Sequence, residues 1–162
     1  MAMTYMTLPE DPAILQAVGA GAIRHGHLDY CLRMCVRSLA DVSIEQAIEA
    51  TERDSSADLR RSITTLAKKR FGEGQTLVLL KALLNRAAEA TRKRNDLLHG
   101  FWAKELDGPE VMRNRGIEFG PIPTVADLTK VADDLNTIAT EIIEARLQGF
   151  LCDALLKHPV PK

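Results

Sequence analysis

The chain has 162 residues, of which 46% are hydrophobic and 4% are aromatic, and its formal net charge is −1. This length and apolar content are sufficient for one domain with a sizeable core. A net charge so close to zero disfavours a protein that coats nucleic acid non-specifically, because such proteins are usually strongly basic. Cys31, Cys35 and Cys152 form an odd set without the spacing of a disulfide framework, so we expect reduced thiols.

The N-terminal residues are relevant to the cellular localisation of the protein. The segment "MAMTYMTLPEDP" lacks the basic and apolar parts of a signal peptide, and no apolar run in the chain is long enough to span a membrane. We therefore expect a cytoplasmic protein with no membrane partner. We also expect a single domain over residues 1–162, with its core at about 12–155 and a frayed tail at 156–162.

Helical periodicity dominates the first part of the chain. A long helix is predicted from about residue 12 to residue 39. Its apolar positions, at three- and four-residue steps, are Leu15, Val18, Ala22, Leu28, Leu32, Cys35 and Leu39. Ser43 and Gln46 have the spacing of a capping box, which predicts a short second helix to about residue 52.

Two further helices are predicted before the periodicity changes from helical to strand-like. Ser55 and Asp58 have capping-box spacing and open the third helix, which Gly72 ends. The fourth helix is predicted over about residues 76–99, where Gly100 is well placed as its C-terminal stop.

Strand-like alternation then follows. "FWAKEL" (101–106) and "VMRNRGIEF" (111–119) are short alternating runs separated by turn residues, and they predict a small β-hairpin. Thr124 and Asp127 cap a last long helix to about residue 155. The predicted fold class is therefore all-α: a helical bundle with two long flanking helices and a small β-hairpin inserted before the last helix.

The apolar face of the fourth helix is interrupted by two polar residues. With an advance of ~100° per residue, Leu80 and Leu84 define this face, and Arg94 and Asn95 also fall within it. An unpaired buried guanidinium is strongly destabilising, so Arg94 needs a partner. Two alternatives remain open, namely a carboxylate on a neighbouring helix or a polar site lined by this end of the helix.

His99 follows Arg94 by five residues, which places the two side chains about 140° apart around an ideal helix. They converge if the last turn unwinds at Gly100, or if a second copy of the helix brings its own pair across a two-fold axis. The helix dipole favours a protonated imidazole at this end. A histidine that moves the proton of a hydroxyl, near an arginine that stabilises phosphorane-like charge, suits phosphodiester chemistry.

The run "RNDLLH" (94–99) resembles the R-x4–6-H motif of the HEPN superfamily, in which a polar residue, often Asn, usually follows the arginine. Members are all-helical, dimerise and place the motif at the dimer cleft, and the order of helices over about 12–155 is similar. Active members are metal-independent endoribonucleases of toxin–antitoxin, phage-defence and RNA-processing systems, whereas degenerate members only bind. Phe101 stands where members controlled by a nucleotidyltransferase antitoxin carry the modified tyrosine, so we do not expect that control here.

The resemblance implies catalytic roles for Arg94, Asn95 and His99 in a composite site of a homodimer. It also implies an RNA substrate, a protein antitoxin as a partner, and no cofactor or metal. Phosphate contacts are expected from nearby basic side chains, namely Arg92, Lys93, Arg113 and Arg115. The alternative is a non-catalytic helical module that binds a protein partner or a nucleotide at Arg94 and Asn95.

Three other residues of the first helix form a candidate metal site. His27, Cys31 and Cys35 share a face, but His27 and Cys35 are about 12 Å apart along the axis, which is too wide for one tetrahedral zinc. The cysteines are therefore interpreted as core residues. His25, on the same helix, could border a cleft. Trp102 is interpreted as packing on the core rather than stacking on a base.

Overall fold

A computed structural model describes residues 4–113 and 118–160 of the chain. In this part the elements are, in order, β1 (Thr4–Met6), α1 (Pro12–Ala40), α2 (Ile44–Thr51), α3 (Ser56–Phe71), α4 (Gln75–Leu98), β2 (Phe101–Glu105), β3 (Glu110–Arg113), β4 (Gly120–Pro121), α5 (Val125–Leu147) and α6 (Phe150–Lys157). The fold is largely helical with a small antiparallel sheet, so the all-α prediction is confirmed at that level. In the described ranges, none of these helices combines the length and the apolar content needed to traverse a bilayer.

Local capping interactions determine where three of the helices begin. At the start of α2, the Gln46 backbone N–H donates to Ser43 Oγ at 3.2 Å, and the Ser43 N–H donates to Gln46 Oε1 at 3.0 Å. The same reciprocal pattern begins α3 at Ser55 and α5 at Thr124. Each cap satisfies a backbone N–H that has no partner within the helix. The three predicted helix starts are therefore confirmed.

The main core lies between α1, α3, α4 and α5, and α6 also contributes to it. Large side chains that are almost completely buried come from all five helices: Leu28, Leu32, Leu59, Ile63, Leu77, Leu80, Leu135, Ile142 and Leu151. Burying one such side chain stabilises the fold by about 1.5–3 kcal/mol. The predicted apolar face of α4 is confirmed, and helices of the same chain cover it.

The sheet has the strand order β1-β2-β3-β4, and all its neighbouring strands are antiparallel. The hairpin prediction is confirmed for β2 and β3, in which Phe101 lies opposite Arg113. The edge strands β1 and β4 were not predicted. Each is too short to show alternation, so only pairing with β2 and β3 makes them strands. Residues 114–117 of the predicted hairpin lie outside the described residues.

A second apolar cluster joins the sheet to the helices. Ile14 and Ala17 of α1 and Leu128 of α5 are buried in it, and Trp102 of β2 packs against them. The indole N–H of Trp102 donates a hydrogen bond to the backbone oxygen of Leu97 at 3.2 Å. The core interpretation of Trp102 is thus confirmed, and the sheet is anchored beside the last turn of α4.

The predicted buried stripe of the first helix was wrong in its N-terminal half. Ile14 is buried there and Leu15 is exposed, whereas the prediction is correct from Leu28 onwards. Residues 13–23 are apolar or small on most sides of the helix, so the sequence pattern does not select one face. Packing against α5 selects it.

The predicted last helix is in fact two helices separated at Gly149. A Cβ atom added at Gly149 would lie 3.0 Å from Ala145 Cα, so a larger residue would need the backbone to shift by a few tenths of an ångström. The tail prediction also needs correction, because α6 continues into residues 156 and 157. Beyond it, the His158 backbone oxygen accepts a hydrogen bond from Arg70 Nε at 2.7 Å.

Candidate functional site

The C-terminal end of α4 carries Arg94 and Asn95, which are both half-buried. Arg94 Nη1 donates a hydrogen bond to Asn95 Oδ1 at 2.8 Å, so the two polar side chains are held together. Arg94 Nε is buried, and no acceptor within the described part of the chain pairs with it. Burial lowers the pKa of Arg94, and the negative charge of Asp29 on α1 opposes that shift. Asp29 thus attracts Arg94 electrostatically from a neighbouring helix.

His99 lies one turn further on, at the C-cap of α4, and its side chain is exposed. Its backbone N–H donates to the Asn95 backbone oxygen at 2.9 Å, which is the ordinary helical bond. The last turn of α4 therefore does not unwind before Gly100. Since the helix is regular, the side chains of Arg94 and His99 point in different directions within one chain.

A cleft of about 400 Å³ opens between α1, α3 and α4 beside Arg94. The polar residues of its walls come from all three helices and the N-cap of α3: His25 and Asp29, Ser55, Ser56 and Arg60, Thr91, Arg92 and Asn95. The prediction that His25 borders a cleft is thus confirmed. Asn95 belongs both to the cleft wall and to the pair with Arg94, so the sequence motif and the cleft are continuous.

His25, Asp29 and Ser56 form a hydrogen-bonded group in this cleft. The Ser56 hydroxyl donates to Asp29 Oδ1 and lies 3.2 Å from His25 Nε2. A hydroxyl has one hydrogen to donate, so His25 Nε2 must itself carry a proton and donate to Ser56. His25 Nδ1 lies 3.7 Å from Asp29 Oδ2. Ser56 is therefore a bridge between the two groups, and its hydroxyl proton is not directed at the imidazole as it would be in a serine nucleophile.

The charge state of His25 follows from its surroundings. Burial lowers the pKa of His25 below its ordinary value of 6.5. The carboxylate of Asp29 acts in the opposite direction, and the positive charges of Arg94 and Arg60 lower the pKa further. The imidazole is consequently neutral at pH 7, and two guanidinium groups remain as the cations beside it.

Two of the basic residues expected to contact RNA, Arg92 and Lys93, lie next to carboxylates on α4. Arg92 forms ion pairs with Glu89 at 2.7 Å and Asp96 at 3.0 Å, and Lys93 lies 3.9 Å from Glu89. These pairs balance much of the positive charge on that side of α4.

Arg113 contacts two aromatic rings that also contact each other. Its guanidinium lies 5.5 Å from the ring centroid of Phe101 and 5.4 Å from that of Phe119, within the range of cation–π contacts. Arg115, the other hairpin residue expected to contact RNA, lies outside the described residues.

The candidate metal ligands of α1 do not converge. His27 is exposed, whereas Cys31 and Cys35 are buried and free. Burial raises the pKa of Cys31, and it raises the pKa of Cys35 to about 12, so both side chains are neutral thiols. Over residues 4–113 and 118–160, no group of three His, Cys, Asp or Glu side chains has an arrangement that could hold a metal ion. The core interpretation of the two cysteines is confirmed.

Sequence reasoning missed Asp29, Ser56 and Arg60 as site residues. The four-residue spacing of His25 and Asp29 was an available signal, because such residues share one face of a helix. Ser56 is 31 residues from His25, and only the packing of α3 against α1 brings them together.

Comparison of the chain with models of protein families, with curated proteins and with solved structures finds no match.

Proposed function

We propose that this chain is a cytoplasmic RNA-targeting protein of the HEPN type, which cleaves RNA as a homodimer without a metal ion and has a protein antitoxin as its partner. The observation that carries the proposal is the hydrogen-bonded pair of Arg94 and Asn95 one helical turn before His99. A guanidinium with an unsatisfied Nε offers directed donors to a phosphodiester, and an exposed imidazole is accessible to a bound RNA.

The proposed reaction uses the RNA's own 2′-hydroxyl as the nucleophile. Its oxygen forms a bond to the adjacent phosphorus while the bond from phosphorus to the 5′-oxygen breaks. One His99 takes the proton of the 2′-hydroxyl, and the His99 of the second copy gives a proton to the leaving 5′-oxygen. Arg94 stabilises the charge on the phosphoryl oxygens, and Asn95 orients the phosphate. The products are a 2′,3′-cyclic phosphate and a 5′-hydroxyl.

A composite site of this kind needs a surface for the second copy. The apolar face of α4 is covered within the chain, so it does not supply that surface. An exposed stripe on α1 supports dimerisation instead, since Leu15, Ile23 and Tyr30 are 41%, 62% and 51% exposed. At ~100° per residue these three side chains lie within roughly 80° of one another around the helix. Large apolar side chains exposed on one face are typical of protein interfaces.

A non-catalytic binding module is the second candidate, and the position of His99 favours it. Within one chain His99 points away from Arg94, so a composite site depends entirely on dimerisation. In this alternative the cleft beside Arg94 and Asn95 binds a protein partner or a nucleotide, and no proton transfer takes place.

Cleavage of a labelled RNA in EDTA tests the proposal. His99→Ala should remain folded and dimeric and lose about 10²–10⁴-fold in rate. The matched control is His158→Ala, which removes another exposed imidazole, at the end of α6, and should cut like the wild type. Arg94→Ala should abolish cleavage, whereas Arg61→Ala, at an exposed site on α3, should not. If the wild type cuts no RNA, and His99→Ala behaves like it in a growth-inhibition test, the binding module replaces the enzyme.

A further inference from the structure

Hydrogen-bond donors on the walls of the cleft between α1, α3 and α4 lack acceptors. Arg60 Nη1 and Thr91 Oγ1 are both buried, and neither has a hydrogen-bond partner in residues 4–113 and 118–160. Thr91 is 6% exposed, and both residues line the cleft. Arg94, whose Nε is likewise unpartnered, is hydrogen-bonded to Asn95 on the same wall. Buried polar groups are nearly always paired in proteins, so two such donors in the walls of one cleft, with a third on the neighbouring Arg94, point to an acceptor-rich ligand.

The N-terminus of α3 adds backbone donors to the same cleft. Ser56 and Ala57 are the first two residues of this 16-residue helix, and both line the cleft. Their N–H groups precede the first intrahelical hydrogen bond. The capping box uses the N–H groups of Ser55 and Asp58 instead. The beginning of a helix favours an anion, because the free N–H groups and the helix dipole act in the same direction.

The charges of the cleft favour an anion as well. Arg60 and Arg92 line the cleft and Arg94 lies beside it, whereas Asp29 is the one carboxylate among the described residues that line it. Burial lowers the pKa of Arg60 and of Arg94, and Asp29 opposes that shift in each case. The positive charge of Arg92 is balanced by its ion pairs with Glu89 and Asp96. With His25 neutral, the guanidinium groups of Arg60 and Arg94 and the carboxylate of Asp29 then leave a net charge of about +1. The ligand that suits this balance carries negative charge and several acceptor oxygens.

We propose that the cleft between α1, α3 and α4 is a phosphate-binding site. Arg60, Thr91 and the first backbone N–H groups of α3 hold the phosphate oxygens, and Arg94 adds its charge from the end of α4. Donors that approach from different helices suit a tetrahedral oxyanion better than a planar carboxylate. The phosphate belongs either to an RNA backbone or to a free or terminal phosphate group. The first identification rests on the proposed function, and the second does not.

An NMR titration with two probes at constant ionic strength tests this site. Inorganic phosphate represents a free or terminal phosphate, and dimethyl phosphate represents a backbone phosphodiester. We expect at least one probe to bind the wild type and to shift the signals of His25 and Thr91. Thr91→Val, which keeps the volume of the side chain, should weaken binding about tenfold. Arg60→Gln should weaken binding at least as much.

Arg61→Gln is the matched control for Arg60→Gln. Arg61 is the next residue of α3, its side chain is 75% exposed, and it pairs with Asp58 rather than lining the cleft. The control should change the affinity less than about twofold, because an exposed charge is screened by solvent. If both variants weaken binding equally, the attraction is a general effect of charge and the proposed site is wrong.

The remaining outcomes also decide the question. Binding of either probe that depends on Thr91 supports the site and identifies the source of the phosphate. If neither probe binds, or if Thr91→Val binds as the wild type does, the proposal is overturned. Thr91→Val keeps the test valid even if Arg60→Gln fails to fold. A protein that binds phosphate but cuts no RNA would contradict the enzyme proposal and leave the phosphate site intact.

Discussion

Replacement of Thr91 by valine should make the protein more stable. The hydroxyl of Thr91 is buried in α4, and nothing in the described part of the chain accepts or donates a hydrogen bond to it. Such an unsatisfied group costs about 1–3 kcal/mol, and valine replaces the hydroxyl by a methyl group of similar size. Threonine and valine have similar helix propensities, so the helix itself contributes little. We expect the free energy of unfolding to rise by about 1–2 kcal/mol.

Thr51 is the matched control. It is also a buried helical threonine, but its Oγ1 donates a hydrogen bond to the Ala47 backbone oxygen at 2.7 Å. Thr51→Val should therefore lower the free energy of unfolding by about 0.5–1.5 kcal/mol. Thermal denaturation in a phosphate-free buffer measures both variants, with a shift of about 2–4 °C for each kcal/mol in a chain of this size. Equal losses for the two variants would show that Thr91 has a partner within the protein, and the argument from unsatisfied donors would fail.

Three further predictions concern packing, titration and assembly. Leu84→Ala should lower the free energy of unfolding by about 2–5 kcal/mol because Leu84 is in the core, whereas Asn85→Ala, on the exposed face, should stay within about 0.5 kcal/mol. Equal losses in urea denaturation would contradict the orientation of α4. The pKa of His25 is below 6.5 in the folded protein. As the pH falls, the unfolded chain therefore binds a proton at His25 before the folded protein does, and the free energy of unfolding decreases below about pH 6.5. The melting temperature of the wild type should therefore fall between about pH 7 and pH 5, and it should fall less in His25→Gln. An equal dependence of melting temperature on pH in the two proteins would contradict the lowered pKa of His25. Ile23→Glu should convert the dimer to a monomer in sedimentation at micromolar concentration, whereas Ala50→Glu, at an exposed position on α2, should not. A wild type that sediments only as a monomer would exclude the composite site.

The features that could be predicted from the sequence depend on residues close to one another in the chain. Ser55 and Asp58 cap α3 through contacts three residues apart, so the start of that helix is encoded locally. Arg94 and Asn95 were identified because they interrupt the apolar face of a regular helix, and residues of the same helix define that face. The break at Gly149 was missed because a glycine does not by itself end a helix. In the structure Gly149 lies so close to the backbone of Ala145 that a larger residue would force a small backbone shift.

The sequence by itself determined the starts of three helices, the buried face of α4 and the polar end of that helix, because hydrogen bonds and side-chain contacts within a few residues encode them. The tertiary structure alone decided which side of α1 faces α5, since the sequence there is apolar or small on most sides. It also decided the cleft, whose residues His25, Ser56 and Thr91 come from three different helices. Their unsatisfied donors and shifted pKa values arise from burial between those helices, and burial is a property of the packed chain rather than of any local pattern.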